Sequence, residues 1–146
     1  MPRYFTLAQA ESLLPQIRKE MREALDLAAA HEEAESRLQD ALQRISMLGG
    51  AMVNRGEIVE FRERRNQTAE EVNEAVARIH EAGCQIKDLR MGLVDFPTMY
   101  RGNEVLLCWR FGEDAIRFWH DLEEGFRGRK PIDQDFLDNH HGDRPN

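Results

Sequence analysis

The chain has 146 residues, with 20 Lys and Arg against 27 Asp and Glu, a formal charge of −7, 41% hydrophobic and 32% charged residues. That balance describes a globular chain with broad solvated faces and excludes disordered and collagen-like classes. No apolar run approaches the ~20 residues of a membrane-spanning helix, and the opening MPRYFTLAQAESLLP lacks the continuous apolar core of a signal peptide.

The first predicted element begins at Thr6, which with Gln9 has the form of a capping box, preceded by Phe5 as a staple. From there Leu7, Ala10, Leu14, Ile17, Met21, Ala24, Ala28, His31, Glu35, Leu38, Leu42 and Ile45 recur at alternating steps of three and four. This is the seam of a coiled-coil helix. Pro15 inside it predicts a kink or a fresh first turn, and Gly49–Gly50 is its expected stop. A second stripe, Ile58, Phe61, Ala69, Val72, Val76 and Ile79, ends at Gly83 in the position of a left-handed cap. Thr68 with Glu71 offers a further capping box and so a break near Asn66. The two stripes read as a long antiparallel hairpin over residues 6–83.

After Gly83 the period changes to that of strands. Gln85–Leu89, Leu93–Phe96, Glu104–Arg110 and Ala115–Trp119 are short runs separated by Gly92, Arg101–Gly102–Asn103 and Gly112. Connections this short force antiparallel neighbours. The expected fold is therefore α+β: a long helical hairpin followed, over residues 84–132, by a three- to four-stranded antiparallel meander. Residues 1–138 are expected to form one domain and 139–146 a disordered tail.

Residues 87–129 also carry a family pattern. Lys87-Asp88-Leu89, Gly92-Leu93-Val94-Asp95-Phe96-Pro97, Leu107-Cys108-Trp109 with Gly112-Glu113, Trp119-His120, Gly125-Phe126 and Gly128-Arg129 follow in order. With Phe5-Thr6 and Leu13-Leu14-Pro15, the chain resembles the prokaryotic family called domain of unknown function 2203. The resemblance implies the same architecture and assigns no activity, so no catalytic role is carried over.

Chemistry-bearing residues concentrate beyond Gly83. His120 with Glu123 and Glu124 could hold a divalent transition metal, since imidazole and carboxylate suit zinc, manganese or iron. They would share a helix face only if the chain turned helical after Trp119. The alternative is that His120 caps the sheet while the glutamates are solvated. Asp95, Trp109, Glu113, Trp119 and Arg129 are the expected lining of a ligand pocket: indoles for walls, carboxylates as ligands or acid–base groups, and Arg129 as an anion clamp. Side chains alternate along strands, so this grouping depends on register. Cys108 reads as a small core side chain, and Cys84 as little better suited to act as a nucleophile. His31 and Glu35 occupy seam positions where polar groups fix register.

Acids exceed bases in each third of the chain, and the arginines near Arg62 alternate with Glu60 and Glu63. A nucleic-acid footprint is absent from the pattern. Two cysteines cannot form a disulfide framework, and a cytoplasmic location is expected. Two functions remain open. One is a small-ligand or metal-binding protein, an enzyme or not, with its site in the sheet region. The other is a non-enzymatic interaction module that forms a homodimer through the helices, whose apolar seam exceeds what a small sheet can cover.

Overall fold

The computed structural model describes residues 3–48 and 55–143. Two long helices, α1 (Leu7–Met47) and α2 (Arg55–Glu81), precede β1 (Gln85–Asp88), β2 (Leu93–Tyr100), β3 (Asn103–Arg110), β4 (Phe118–Asp121) and β5 (Lys130–Pro131). A short α3 (Gln134–Asn139) and β6 (His140–His141) follow. The fold is α+β with a helical hairpin. The chain forms two compact units, one of Met1–Arg22 with Val76–Asn146 and the other Glu23–Ala75.

The second unit is purely helical. Its buried positions on α1 are Ala24, Ala34, Leu38 and Ala41. The seam therefore moves by one residue relative to the strict heptad, taking Ala34 and Ala41 in place of Glu35 and Leu42. A straight helix has 3.6 residues per turn, so a 3.5-residue repeat drifts around it, and alanines let the neighbouring helix approach closely. Glu35 instead reaches Arg65 at 3.6 Å. His31 is half-buried, with Nδ1 3.1 Å from the Arg65 carbonyl and 3.3 Å from Thr68 Oγ1. The break expected near Asn66 does not occur: α2 is continuous. Thr68 is buried, and its hydroxyl donates back to the Arg64 and Arg65 carbonyls at 2.8 and 3.0 Å instead of capping a new helix. Pro15 likewise lies within an unbroken α1 and opens no new helix. The Gly49–Gly50 stop falls outside the described residues.

The sheet unit starts from the expected capping box: Gln9 N–H donates to Thr6 Oγ1 at 3.1 Å and Thr6 N–H to Gln9 Oε1 at 2.9 Å. Gly83 adopts φ +102°, and an added Cβ would meet Phe5 Cζ at 3.2 Å and Arg3 Cβ at 3.1 Å. Only glycine ends α2 there without strain. The sheet has six strands, not three or four, in the order β1-β2-β3-β4-β5, with β6 paired to β2. β2 and β3 meet in an unbroken antiparallel register from Leu93↔Arg110 to Tyr100↔Asn103. Arg101 (φ +51°) and Gly102 (φ +81°) form the two-residue turn between them.

Two further corrections concern the ends. The run Ala115–Trp119 is not a strand over its whole length: pairing begins at Phe118 and extends to Asp121, because the chain bends at Asp114–Ala115 and the Ile116 N–H donates to Glu11 Oε1 at 2.8 Å instead of to β3. The polar end is ordered through Asp143. Thr98 Oγ1 donates to the His141 carbonyl, and the Leu7 N–H donates to His140 Nε2 at 3.0 Å. Residues 144–146 of the expected tail lie outside the described residues. Finally, the other edge of β2 is covered in turn by β1, by the Phe5 N–H bonded to the Pro97 carbonyl at 2.7 Å, and by β6. A strand residue points its N and its carbonyl to the same edge, so Pro97 interrupts no β2–β3 bond.

Alternation gives the sheet two faces. Val94, Phe96, Val105, Leu107 and Trp109 face the core with Phe5, Leu14, Ile17, Met21, Ile79 and Phe136. Burial of those side chains, each contributing about 1.5–3 kcal/mol, is the main stabilising term of this unit. Leu93, Asp95, Leu106, Cys108 and His120 occupy the opposite face and are also buried.

Candidate metal centre

Asp95, Cys108 and His120 stand on three adjacent strands. Asp95 pairs directly with Cys108 across β2 and β3, while His120 pairs with Leu106, one pleat along the same face. Their exposures are 0%, 1% and 2%. One donor atom from each, a carboxylate oxygen, the sulfur and a ring nitrogen, lies within 4.8 Å of both others. The three line a cavity of about 210 Å³, together with Leu93, Leu122, Phe126 and a rim of charged groups.

The hydrogen bonds are specific. His120 Nδ1 lies 2.8 Å from the Asp121 carbonyl, which can only accept, so Nδ1 carries a proton. Nε2 is thereby directed at Asp95 Oδ1, 3.2 Å away. The Asp95 carboxylate, and next the Cys108 thiol, raise the imidazole to about 10 against the opposing effect of burial. Asp95 Oδ2 is buried and has no hydrogen-bond partner. Leaving a carboxylate oxygen unpaired in a buried place is costly.

The arrangement is not a Cys–His–Asp relay. A relay needs the carboxylate on one ring nitrogen and the thiol proton delivered to the other. Here a backbone carbonyl holds Nδ1, and the carboxylate occupies the nitrogen that would act as base. Cys84, the other thiol, is buried in the core and pushed up to about 12 by burial, so it is no nucleophile.

The residues expected at the site divide. Asp95 and His120 are brought together, and Glu124 lines the same cavity. Glu124 is nevertheless engaged: Lys130 Nζ lies 2.6 Å from Oε1 and holds its carboxyl below the usual range. Because His120 sits in a strand, no helix face joins it to Glu123, which is exposed outside the cavity. Trp109 and Trp119 lie on the opposite face. Trp109 donates from Nε1 to the Glu113 carbonyl at 3.0 Å, and Trp119 stacks on Phe136 at 5.2 Å.

Glu113 and Arg129 form a bidentate pair at 3.0 and 2.8 Å, with the guanidinium between Phe118 (4.0 Å) and Phe126 (4.2 Å). Burial pushes the Glu113 carboxyl up, but Arg129 and the Arg110 N–H outweigh it and hold it below the usual range. Arg129 is thus already neutralised and braces the segment carrying Phe126; it is not a free anion clamp. Cys108 is the residue that sequence reasoning missed. In the sequence Arg101–Gly102–Asn103 reads as the turn; the structure closes it on Arg101–Gly102, with Asn103 paired to Tyr100, and this register sets Asp95 opposite Cys108.

A family model described as Uncharacterized conserved protein (DUF2203) matches residues 3–132. The chain belongs to this family. No curated protein and no solved structure matches the chain. The DUF2203 match takes in β1 to β5 and so all three residues of the centre, and it stops before α3 and β6. Among the described residues, no helix is long and apolar enough to cross a membrane.

Proposed function

We propose that this protein binds a single transition-metal ion, zinc first among them, through Asp95, Cys108 and His120. The observation carrying this reading is the buried, unpartnered Asp95 Oδ2 beside a thiol and an imidazole at the floor of a cavity. Zinc bonds of about 2.0–2.3 Å to oxygen, nitrogen and sulfur put tetrahedral ligands roughly 3.3–3.8 Å apart. His120 Nε2 and Asp95 Oδ1 are 3.2 Å apart and all three donor atoms lie within 4.8 Å of one another, so closing on an ion draws the donors together by side-chain movement. Thiolate and imidazole together favour zinc over calcium or magnesium, which take oxygen ligands. The Asp121 carbonyl supplies the outer partner that orients a ligating histidine. The ion replaces the proton between His120 Nε2 and Asp95, and its charge balances one carboxylate and one thiolate. Three protein ligands leave a fourth position toward the cavity, as in ligand-binding and catalytic zinc sites and unlike closed structural ones.

The test is metal analysis of tag-free protein equilibrated with zinc and dialysed. One equivalent is expected per chain, lost in His120→Ala and Cys108→Ser while helical circular dichroism is retained. If the wild type retains no zinc and His120→Ala unfolds, the His120–Asp95 pair is a structural ion pair and this reading fails.

A second reading, a two-fold homodimer formed through the helices, is supported by exposed apolar groups in the helical unit: Leu42, Met47, Leu48 and Val59. Such a surface is commonly closed by two-fold association. Light scattering at micromolar concentration should then give about twice the 17.0 kDa chain mass. A particle of the chain mass overturns it.

A further inference from the structure

We infer, on the basis of the metal reading above, that the open position takes the carboxylate of a short, partly apolar monocarboxylic acid. The rim decides the charge. Asp88 Oδ1 accepts from the Met91 N–H at 3.0 Å, and Glu124 is held by Lys130. Both acids of the rim are therefore engaged in local structure. Lys87 is not: it is exposed at the cavity mouth, and its ammonium makes no hydrogen bond or ion pair among the described residues. It stands at an irregularity between Ile86 and Asp88, where the β1–β2 register slips, so that Lys87 and Asp88 both border the cavity.

The walls decide the rest. Leu93, Leu122 and Phe126 offer an apolar lining between the charged floor and the rim. The cavity of about 210 Å³ is many times the ~10–15 Å³ that one water needs, room for a carboxylate and a short chain. A carboxylate with a chain of a few carbons satisfies all three parts. One oxygen binds the ion, Lys87 offsets the added negative charge, and the chain lies on the leucines and Phe126. Without the ion, Asp95 and His120 neutralise each other at 3.2 Å and the floor offers no Lewis acid to bind a carboxylate oxygen. Binding is therefore strictly metal-dependent, which separates this inference from a simple basic patch.

The experiment uses the full chain loaded anaerobically with cobalt(II), whose visible bands report thiolate ligation and the number of ligands. Butanoate should shift those bands saturably. Butan-1-amine should not, because it lacks the carboxylate that binds the ion. Lys87→Glu, an exposed substitution, should retain one cobalt per chain and bind butanoate roughly tenfold more weakly. If cobalt binds stoichiometrically with thiolate character but butanoate leaves the bands unchanged, the carboxylate inference is wrong and the metal reading stands. The carboxylate inference is equally wrong if butanoate binds metal-free protein as well by calorimetry, or if Lys87→Glu binds it as tightly as the wild type. If no cobalt binds, both fall together.

Discussion

The two faces of one sheet are buried to nearly the same degree by different chemistry. On the face toward the helices, Val94, Phe96, Leu107 and Trp109 interlock with Phe5, Leu14, Ile17 and Met21. The one polar atom of Trp109 is satisfied by the Glu113 carbonyl. On the other face the same three strands bury a carboxylate, a thiol and an imidazole, and one carboxylate oxygen has no partner. An apolar triplet there would have been simpler and at least as stable, since buried ion pairs seldom improve on well-packed hydrophobic groups. Stability therefore accounts for the first face and gives no reason for the second. That difference is the reason the proposed centre is placed on the side of the sheet bearing Asp95, Cys108 and His120.

Substitutions that separate stability from ligation test this contrast. The largest effect belongs to the packed face: Phe96→Ala should lower stability by about 3–5 kcal/mol, through lost burial and the cavity left behind. Urea unfolding would measure it, and zinc stoichiometry under native conditions should stay near one. A loss below about 1 kcal/mol would mean that this face does not carry the unit. The reverse pattern is expected across the strand pair. Cys108→Ser should change stability by less than about 1.5 kcal/mol yet weaken zinc at least ~100-fold, more than the ~10–100-fold lost with an outer partner. Competition with a chromogenic chelator reads the affinity. Unchanged zinc binding would remove Cys108 from the centre.

The bracing pair should give an intermediate effect with a definite pH signature. Glu113 has a folded-state pKa below its ordinary 4.5. Its contribution is complete above that ordinary value and disappears as the pH falls through the folded one. Glu113→Gln should be about 1–2 kcal/mol less stable at pH 7, and its stability should fall less steeply than the wild type's under acid. Parallel acid limbs in denaturation series at several pH values would show that the pair contributes nothing. The smallest effect is expected at Leu122, which is 52% exposed. Leu122→Ser should alter stability by no more than about 0.5 kcal/mol. A larger loss in thermal unfolding would mean that the cover over the site face is part of the core.

The sequence by itself determined the two long helices and the antiparallel pairing of β2 with β3. Apolar periodicity marked both long helices, Thr6 and Gln9 marked the start of α1, and Gly83 marked the end of α2. These are local signals, each satisfied within a few residues. The turn residues Arg101–Gly102–Asn103 made β2 and β3 antiparallel neighbours, but the closing of that turn on two residues, which sets Asp95 opposite Cys108, belongs to the structure. Only the tertiary structure decided where His120 faces. The connection from β3 to β4 is an irregular bend over residues 111–117, and no turn type dictates its register. The register that puts His120 opposite Leu106 puts Trp119, opposite Leu107, on the other face. Two of the short strands escaped notice for the same reason. β5 and β6 have two residues each and no periodicity, and they exist because β4 and β2 offer edges to bond. A period can be read from neighbours in the chain, whereas a register set by a long irregular connection depends on what packs against it.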